Sequence, residues 1–388
     1  MSQSKIIAQA AAGQERIFVQ FGGQGAPWYK ELAKYYKEPS MKRFFDVVLK
    51  SLEEERPRVD GTVGLPHGLD ARAWLDNEAS IPSDDYLACA AVSIPMIQIT
   101  QLAHLENVIL KGISCKTLVG ASEGSSGHSQ GLIPASLVAM GLEGDEYYAM
   151  VARYVKYLLY LGVRAQEAHP QFAATAAEIE RSEKAGNKVP APMMAVVGES
   201  HETIQALVDQ TNKELPADQQ IYVSLYNSPV NRILSSFRSS LVRFTEMHGA
   251  ALAEKKVKAV YLRTSCPFHC HLMEAISGPF EADLARMGFS FPGSVLKIPV
   301  YSFYDGRNLQ QDKDIAIGMY KDMAINPLYW DKSMKPVASN AKIASVVDFG
   351  PGKTSQRLSE ETLEGLGAAG KRVLAVAVPK DLEVLMAP

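Results

Sequence analysis

Apolar residues along this chain fall into short blocks separated by glycine, proline and charged clusters. Residues 16–20 (RIFVQ) form an apolar run too short for a helix, which predicts a buried strand. FGGQG follows at 21–25, and a helix begins near Pro27. Strand, glycine-rich turn and helix is how an α/β unit opens. Residues 57–82 carry scattered Pro and Gly and read as loop. Residues 86–110 are densely apolar and predict a buried helix, bent or begun at Pro95. A strand is expected over 116–119, then a small-residue run at 120–127. LIPASLVAMG carries a helix to Gly141, residues 146–169 show helical spacing, and 171–190 read as a helix and a linker.

The rhythm then changes. MMAVVG (193–198) reads as strand, 201–213 as helix, 221–229 and 231–237 as two strands joined at Ser228-Pro229, 238–254 as helix and 256–263 as strand. This β-α-β-β-α-β order is the split βαβ, or ferredoxin-like, pattern. It predicts a small domain at 191–263 inserted into a larger α/β core formed by 1–190 and 264–388. In the core's second half, CPFHCH (266–271) leads into a helix to Met287, and KIPVYSF (297–303) is a strand. Helices cover 313–324 and 331–340, and strands cover 344–350 and 372–378.

Composition narrows the classes. The chain has 388 residues, 47% of them apolar and 21% charged, which excludes a disordered or fibrous chain. With 40 basic and 43 acidic side chains, the net charge of −3 does not suggest a nucleic-acid binder. Four cysteines are too few for a disulfide scaffold and read as reduced thiols of a cytoplasmic protein. No apolar run is long enough to predict a membrane span, and the N-terminal residues lack the pattern of a secretory signal.

The main chemical signal is Gly127-His128-Ser129-Gln130-Gly131. A serine between two glycines ahead of an apolar helix fits a strained turn that exposes the hydroxyl, with the N–H of the next residue aimed at a developing oxyanion. Alone, such a string also describes an ordinary Gly-Ser loop. A nucleophilic serine needs a base. His128 adjoins Ser129 and would point away; His269, where the chain returns from the small domain, would sit in the cleft, or else be a structural histidine. Cys266, His269, Cys270 and His271 are packed too closely to surround one zinc ion, so no metal site is expected. FGGQG lacks the remaining features of a dinucleotide or P-loop phosphate cradle.

FGGQG, GHSQG, YNSP (226–229), CPFHCHLM (266–273) and VDFGPG (347–352) occur in an order that resembles the acyltransferase family of fatty-acid and polyketide synthases, within the malonyl-CoA:ACP transacylase-like superfamily. The likeness is strongest to the acetyl/acyl-transferase domain of type I fatty acid synthases of the β-subunit type, and it spans roughly 16–380. It implies an α/β-hydrolase-like core with a parallel sheet and a ferredoxin-like insert. It implies Ser129 as the nucleophile, His269 as the base, the backbone N–H groups of Gln24 and Gln130 as oxyanion donors, and Asn227 as a cleft residue. A backbone carbonyl near Met323, just before the Asn326–Trp330 segment, is expected to hold His269. The implied substrate is acyl-CoA, with no bound cofactor, and the partner is the phosphopantetheine thiol of an acyl carrier protein, with other synthase domains or subunits possible.

Malonyl-selective members place an arginine before a glycine on the helix after the nucleophile, where it pairs with the malonyl carboxylate. Here that residue is Leu161, before Gly162, so an uncharged group such as acetyl is expected. Arg164, nearly one turn on, is the alternative clamp, or else a structural ion pair. The competing readings are a starter-unit loading domain that takes a longer chain, a malonyl transferase, a serine esterase or thioesterase, and a non-catalytic docking domain. A basic rim at Lys255, Lys256, Lys258 and Arg263 would suit an acidic carrier, or be a plain solvated strand end.

Overall fold

A computed structural model describes residues 4–25 and 27–388. Two sheets organise them. The larger takes β1 (Arg16–Phe21), β2 (Ser122–Gly127), β8 (Ile343–Asp348) and β9 (Arg372–Ala375) in the order β2-β1-β8-β9, with every pairing parallel. Ile17, Phe18, Val19 and Phe21 of β1 are all buried, as a strand covered on both faces requires. The helix Ala90–Leu110 lies almost wholly within the core and packs along Gly144–Ala168. Among the described residues, no helix is long and apolar enough to cross a membrane.

The smaller sheet holds β3 (Met193–Val197), β4 (Tyr222–Ser228), β5 (Asn231–Ser235) and β6 (Lys258–Tyr261), ordered β6-β3-β5-β4 and antiparallel. With helices His201–Asn212 and Arg238–Glu254 the chain order is βαββαβ. A two-residue strand, β7 (Leu328–Tyr329), joins β4 in parallel from later in the chain. Alternation along the strands gives the sheet two working faces. Met194, Val196 and Leu234 pack under the two helices in a second core. Met193, Ala195, Leu225 and Ile233 turn the other way, toward the larger unit.

Several elements differ from expectation. Residues 116–119 lie in a helix, Cys115–Ala121, and the strand is the next segment, SEGSSG. Serine and glycine have little intrinsic preference for strand. Packing decides here: a Cβ on Gly124 would lie 2.9 Å from the Tyr301 ring, and Ser126 Oγ donates to the Tyr301 carbonyl at 2.7 Å. KIPVYSF forms only isolated bridges, Ser125 to Val300 and Tyr301 to Asn308; Pro299 has no N–H to extend a ladder. Residues 57–82 contain short helices, Ala71–Asp76 among them. The long helix begins at Ala90, five residues before Pro95 and after a break at Cys89.

Candidate active site

Ser129 sits directly after β2 with φ 54°, in the left-handed region that non-glycine residues avoid. The turn is this sharp because its flanks are glycine. A Cβ on Gly127 would lie 1.8 Å from the Gly131 carbonyl carbon, and one on Gly131 would lie 2.4 Å from the carbonyl oxygens of Phe21 and Gly22. His269 is also left-handed, at φ 65°. Each such residue costs about 1–3 kcal/mol, which the surrounding structure must supply.

The two strained residues meet. Ser129 Oγ lies 2.8 Å from His269 Nε2. His269 Nδ1–H donates to the Asn326 carbonyl at 2.9 Å, which leaves Nε2 to accept the serine proton. The orienting carbonyl is thus that of Asn326 and not the expected Met323. The helix Ile315–Ala324 ends before it, so the chain has left the helical path and turns a later carbonyl toward the ring. His269 N–H donates to the Ala324 carbonyl at 2.7 Å, fixing the same segment. Behind it, Asp322 accepts from Asn326 Nδ2 (2.9 Å), Ser302 Oγ (2.7 Å) and Arg307 Nη2 (2.9 Å). A carboxylate therefore holds the loop, but a backbone carbonyl holds the histidine.

Burial pulls the His269 pKa down to about 4 against the opposing Asn326 hydrogen bond. The ring is neutral at pH 7 and able to take a proton. His128 is likewise pulled down to about 4 by burial; it bonds Asn227 Oδ1 through Nε2 at 2.8 Å and packs edge-on to Trp330. Asn227 lines the cleft as expected, with its carbonyl oxygen engaged by His128. Gln24 and Gln130 flank Ser129. Their side chains are anchored at the start of the long helix, Gln24 on Ser93 Oγ (2.6 Å) and Gln130 on the Ile94 carbonyl (3.3 Å). Gln101 spans the Gly22 and Gly350 carbonyls at 2.6 and 3.1 Å, tying FGGQG to VDFGPG. Asp348 at that junction has its pKa raised to about 6 by burial, despite bonds from Ser355 and the Gly350 N–H.

The cleft over Ser129 encloses about 510 Å³. Its far wall is the small sheet's face, Met193, Ala195, Leu225, Ile233 and Leu262, with Phe268 alongside; Lys258 and Arg357 stand exposed at its rim. A larger depression, about 870 Å³, lies away from these residues against Ile6 and Ile343, so size alone does not mark the site.

Leu161 and Arg164, expected as substrate contacts, lie outside this lining. Gly162 seats against the Ala90 carbonyl, where a Cβ would come within 2.5 Å, and this sets the helix's rotation. Leu161 is fully buried in the core, and Arg164 is tied to Asp283 (2.7 Å) and Glu167 (2.6 Å). Cys266 Sγ meets the Ala165 carbonyl, Cys270 Sγ meets the Pro267 carbonyl, and His271 packs edge-on to Tyr222, so the cysteines and histidines of that segment diverge. Among the described residues, no group of three or more His, Cys, Asp or Glu is placed to hold a metal ion. The sequence singles out neither Ser93 nor Gln101, and names Asn326 only as the start of a segment. Nothing in their local pattern marks these roles, because each meets a partner distant along the chain: Ser93 through its hydroxyl on Gln24, Gln101 on the Gly22 and Gly350 carbonyls, and Asn326 through its own carbonyl on His269.

Solved structures that share this two-sheet arrangement define the class. The malonyl transacylase of Streptococcus pneumoniae superposes with TM-score 0.66 at 19% identity, covering 96% of this chain and 99% of that one. A malonyl transacylase solved in complex with its type II polyketide acyl carrier protein gives 0.65 at 17% identity, covering 96% of this chain and all of that one. The fold is that of the acyl carrier protein transacylases. The chain belongs to the starter unit:ACP transacylase family, described for aflatoxin biosynthesis, whose family model matches residues 19–269. Among curated relatives, the fatty acid synthase β subunit of Saccharomyces cerevisiae is 28% identical over 91% of this chain, and the β subunit aflB of Emericella nidulans is 26% identical over 90%. The chain spans under a fifth of the length of these relatives, 18% and 17% respectively.

Proposed function

We propose that the chain transfers an uncharged acyl group from coenzyme A to the phosphopantetheine thiol of an acyl carrier protein, through an ester on Ser129. The observation that carries this reading is the 2.8 Å contact between Ser129 Oγ and the neutral His269 Nε2 at the floor of an apolar-walled cleft. Ser129 Oγ attacks the thioester carbonyl while its proton passes to His269 Nε2. The backbone N–H groups of Gln24 and Gln130 receive the oxyanion. The C–S bond breaks, the thiolate of coenzyme A takes the proton back from His269, and Ser129 is left acylated. An incoming thiol then gives its proton to the same nitrogen and attacks the ester; the bond from Ser129 Oγ to the acyl carbon breaks, and Oγ takes the proton back from His269.

A hydrolase reading is disfavoured by the cleft, which buries Ser129 and His269 to 9% and 2% exposure and walls them with apolar side chains. Among described lining residues the cationic groups stand at the rim, which supports an uncharged acyl group over malonyl. Acetyl is a small group of this kind. The apolar strip on the small sheet favours a second reading within the class, a longer starter chain laid along it.

The test is intact-protein mass spectrometry after brief incubation with an equal mixture of acetyl-, malonyl-, hexanoyl- and palmitoyl-CoA, with Ser129→Ala alongside. One uncharged acyl adduct, absent in the variant, supports the transferase, and its mass decides between acetyl and a longer chain. A malonyl adduct overturns the uncharged-group reading. Release of free coenzyme A without any adduct favours a hydrolase.

A further inference from the structure

Beside the catalytic cleft lies a second cavity of about 600 Å³. Val260, Leu262 and Thr264 line both, so the two meet across β6. β6 is the last strand of its sheet: β3 pairs with one side, and no described strand pairs with the other. Leu262 N–H donates to the Met193 carbonyl, so the backbones of 260 and 262 bond inward, and those of Ala259 and Tyr261 face away from β3. Asn187 Nδ2 caps the Ala259 carbonyl at 3.2 Å. The N–H and carbonyl of Tyr261 remain on the open edge, which is part of the cavity wall.

The same cavity is lined by Arg238, a residue only 7% exposed. Its Nη1 and Nη2 donate to the carbonyls of Gln171 (2.9 Å) and Phe172 (3.2 Å), and its buried Nε–H has no partner. It enters no ion pair among the described residues, whereas Arg164, also partly buried, is tied to two carboxylates. A buried guanidinium whose direct partners are neutral oxygens, with Glu178 and Asp85 acting on it only at a distance, carries a charge compensated in part and an unmade hydrogen bond. Arg263 stands exposed on the same lining; Asp84 and Asp85 also line the cavity, exposed where water and salt screen them.

We propose that this second cavity receives the phosphate end of a phosphopantetheine arm, with Arg238 as its buried contact and the arm's amides along the free edge of β6. The inference rests on the transacylase reading above. An extended chain bearing two secondary amides can pair with a strand edge as a peptide does. Its thiol end reaches the cleft past Leu262 and Thr264, whose hydroxyl lies 3.4 Å from Gln24 Oε1. The phosphate supplies the close anion that Arg238 lacks, through charge-assisted hydrogen bonds to the guanidinium where it lines the cavity. Coenzyme A and a carrier protein present the same phosphate on the same arm, so both are candidate sources.

The test compares acylation of Ser129 by hexanoyl-CoA and by hexanoyl-pantetheine, which has no phosphate. It also compares release of the acyl group to free phosphopantetheine and to pantetheine. The wild-type protein prefers the phosphorylated form in both. Arg238→Gln lowers that preference about tenfold or more, and Arg238→Lys restores part of it. Loss of preference in both steps assigns the cavity to both arms; loss in the first alone assigns it to coenzyme A. An unchanged preference in Arg238→Gln, or no preference in the wild type, overturns the proposal. If Arg238→Gln does not fold, Arg263→Glu decides: a drop of about threefold supports the site, and no change sinks it. Failure of both thioesters to acylate wild-type Ser129 sinks the transacylase reading itself, which is a separate outcome.

Discussion

On one wall of the cleft, a methyl group added at Gly127 would lie 1.8 Å from the backbone of Gly131, and Ser129 and His269 hold left-handed conformations at φ 54° and 65°. On the facing wall, Ala195 and Ile233 belong to a regular antiparallel ladder, and Val260 is 51% exposed. The first wall is determined by backbone: close approach, forced dihedrals and carbonyls aimed at side chains. The second is determined by side chains standing on a strand face that accepts many apolar shapes. On the proposed mechanism, chemistry sits where substitution is least tolerated, and selection of the acyl group sits where it is most tolerated.

The comparison breaks most sharply at the dyad. His269→Ala removes the only group among the described residues within hydrogen-bonding distance that can take the Ser129 proton, so acylation should fall by roughly 10²–10⁴. Stopped-time mass spectrometry reads this directly; a loss under fivefold would move the base elsewhere. Next in size is Gly131→Ala. Its Cβ would collide with the Phe21 and Gly22 carbonyls, backbone that has no soft neighbour to yield. Overpacking of this kind should cost about 3 kcal/mol or more, seen as a lower denaturant midpoint. Retention of both midpoint and activity would mean that the turn is less constrained than its contacts indicate.

Acid sharpens the same contrast. With the His269 pKa lowered to about 4, kcat/KM for acylation should stay level from pH 7 to about pH 5 and fall with a midpoint near 4. An exposed histidine would give a midpoint near 6.5. Stability should behave differently. His128 and His269 both stay neutral in the fold below the pH at which an unfolded histidine takes up a proton. Stability is therefore complete above about pH 6.5 and is lost as pH falls toward 4, by up to about 1.4 kcal/mol per histidine per pH unit. Asp348, raised to about 6, opposes this, because the fold binds its proton earlier than the unfolded chain does. His169 and His248, also lowered by burial, add to the loss, and Glu106, Asp312, Asp322 and Glu360, raised by burial, add to the opposition. Denaturant titrations of the wild type and His128→Asn at pH 7, 6 and 5 isolate that histidine's share, and an equal pH dependence in the two would refute its burial.

What was legible in the sequence divides along the same line. The strand face was readable because its apolar alternation is local: β3, β4, β5 and β6 fall where their periods place them. The order of the motifs pointed to Ser129 and His269. What was not legible is held by contacts remote in sequence. SEGSSG is a strand only because Phe18, Tyr301 and the next helix leave room for nothing larger. The carbonyl at Asn326 displaces the expected Met323 because the helix stops at Ala324. From the sequence alone Arg164 is an alternative clamp; in the fold Asp283, over a hundred residues away, holds it in an ion pair.

The smallest expected effect tests the tolerant wall. Ala195 lies on the cleft side of β3, partly exposed, between the cross-strand partners Ile233 and Val260. Phenylalanine suits a half-buried strand position, so Ala195→Phe should change stability by less than about 1 kcal/mol. Its ring would occupy part of the 510 Å³ that a chain longer than acetyl must use. Discrimination in an apolar pocket runs at about 1–3 kcal/mol per methylene lost or blocked, so kcat/KM for hexanoyl-CoA should fall about tenfold relative to acetyl-CoA. An equal loss for both chains would place the blockage at Ser129 rather than along the strand. Selection would then have to lie on the intolerant wall, because the acyl chain would not run over the small sheet at all.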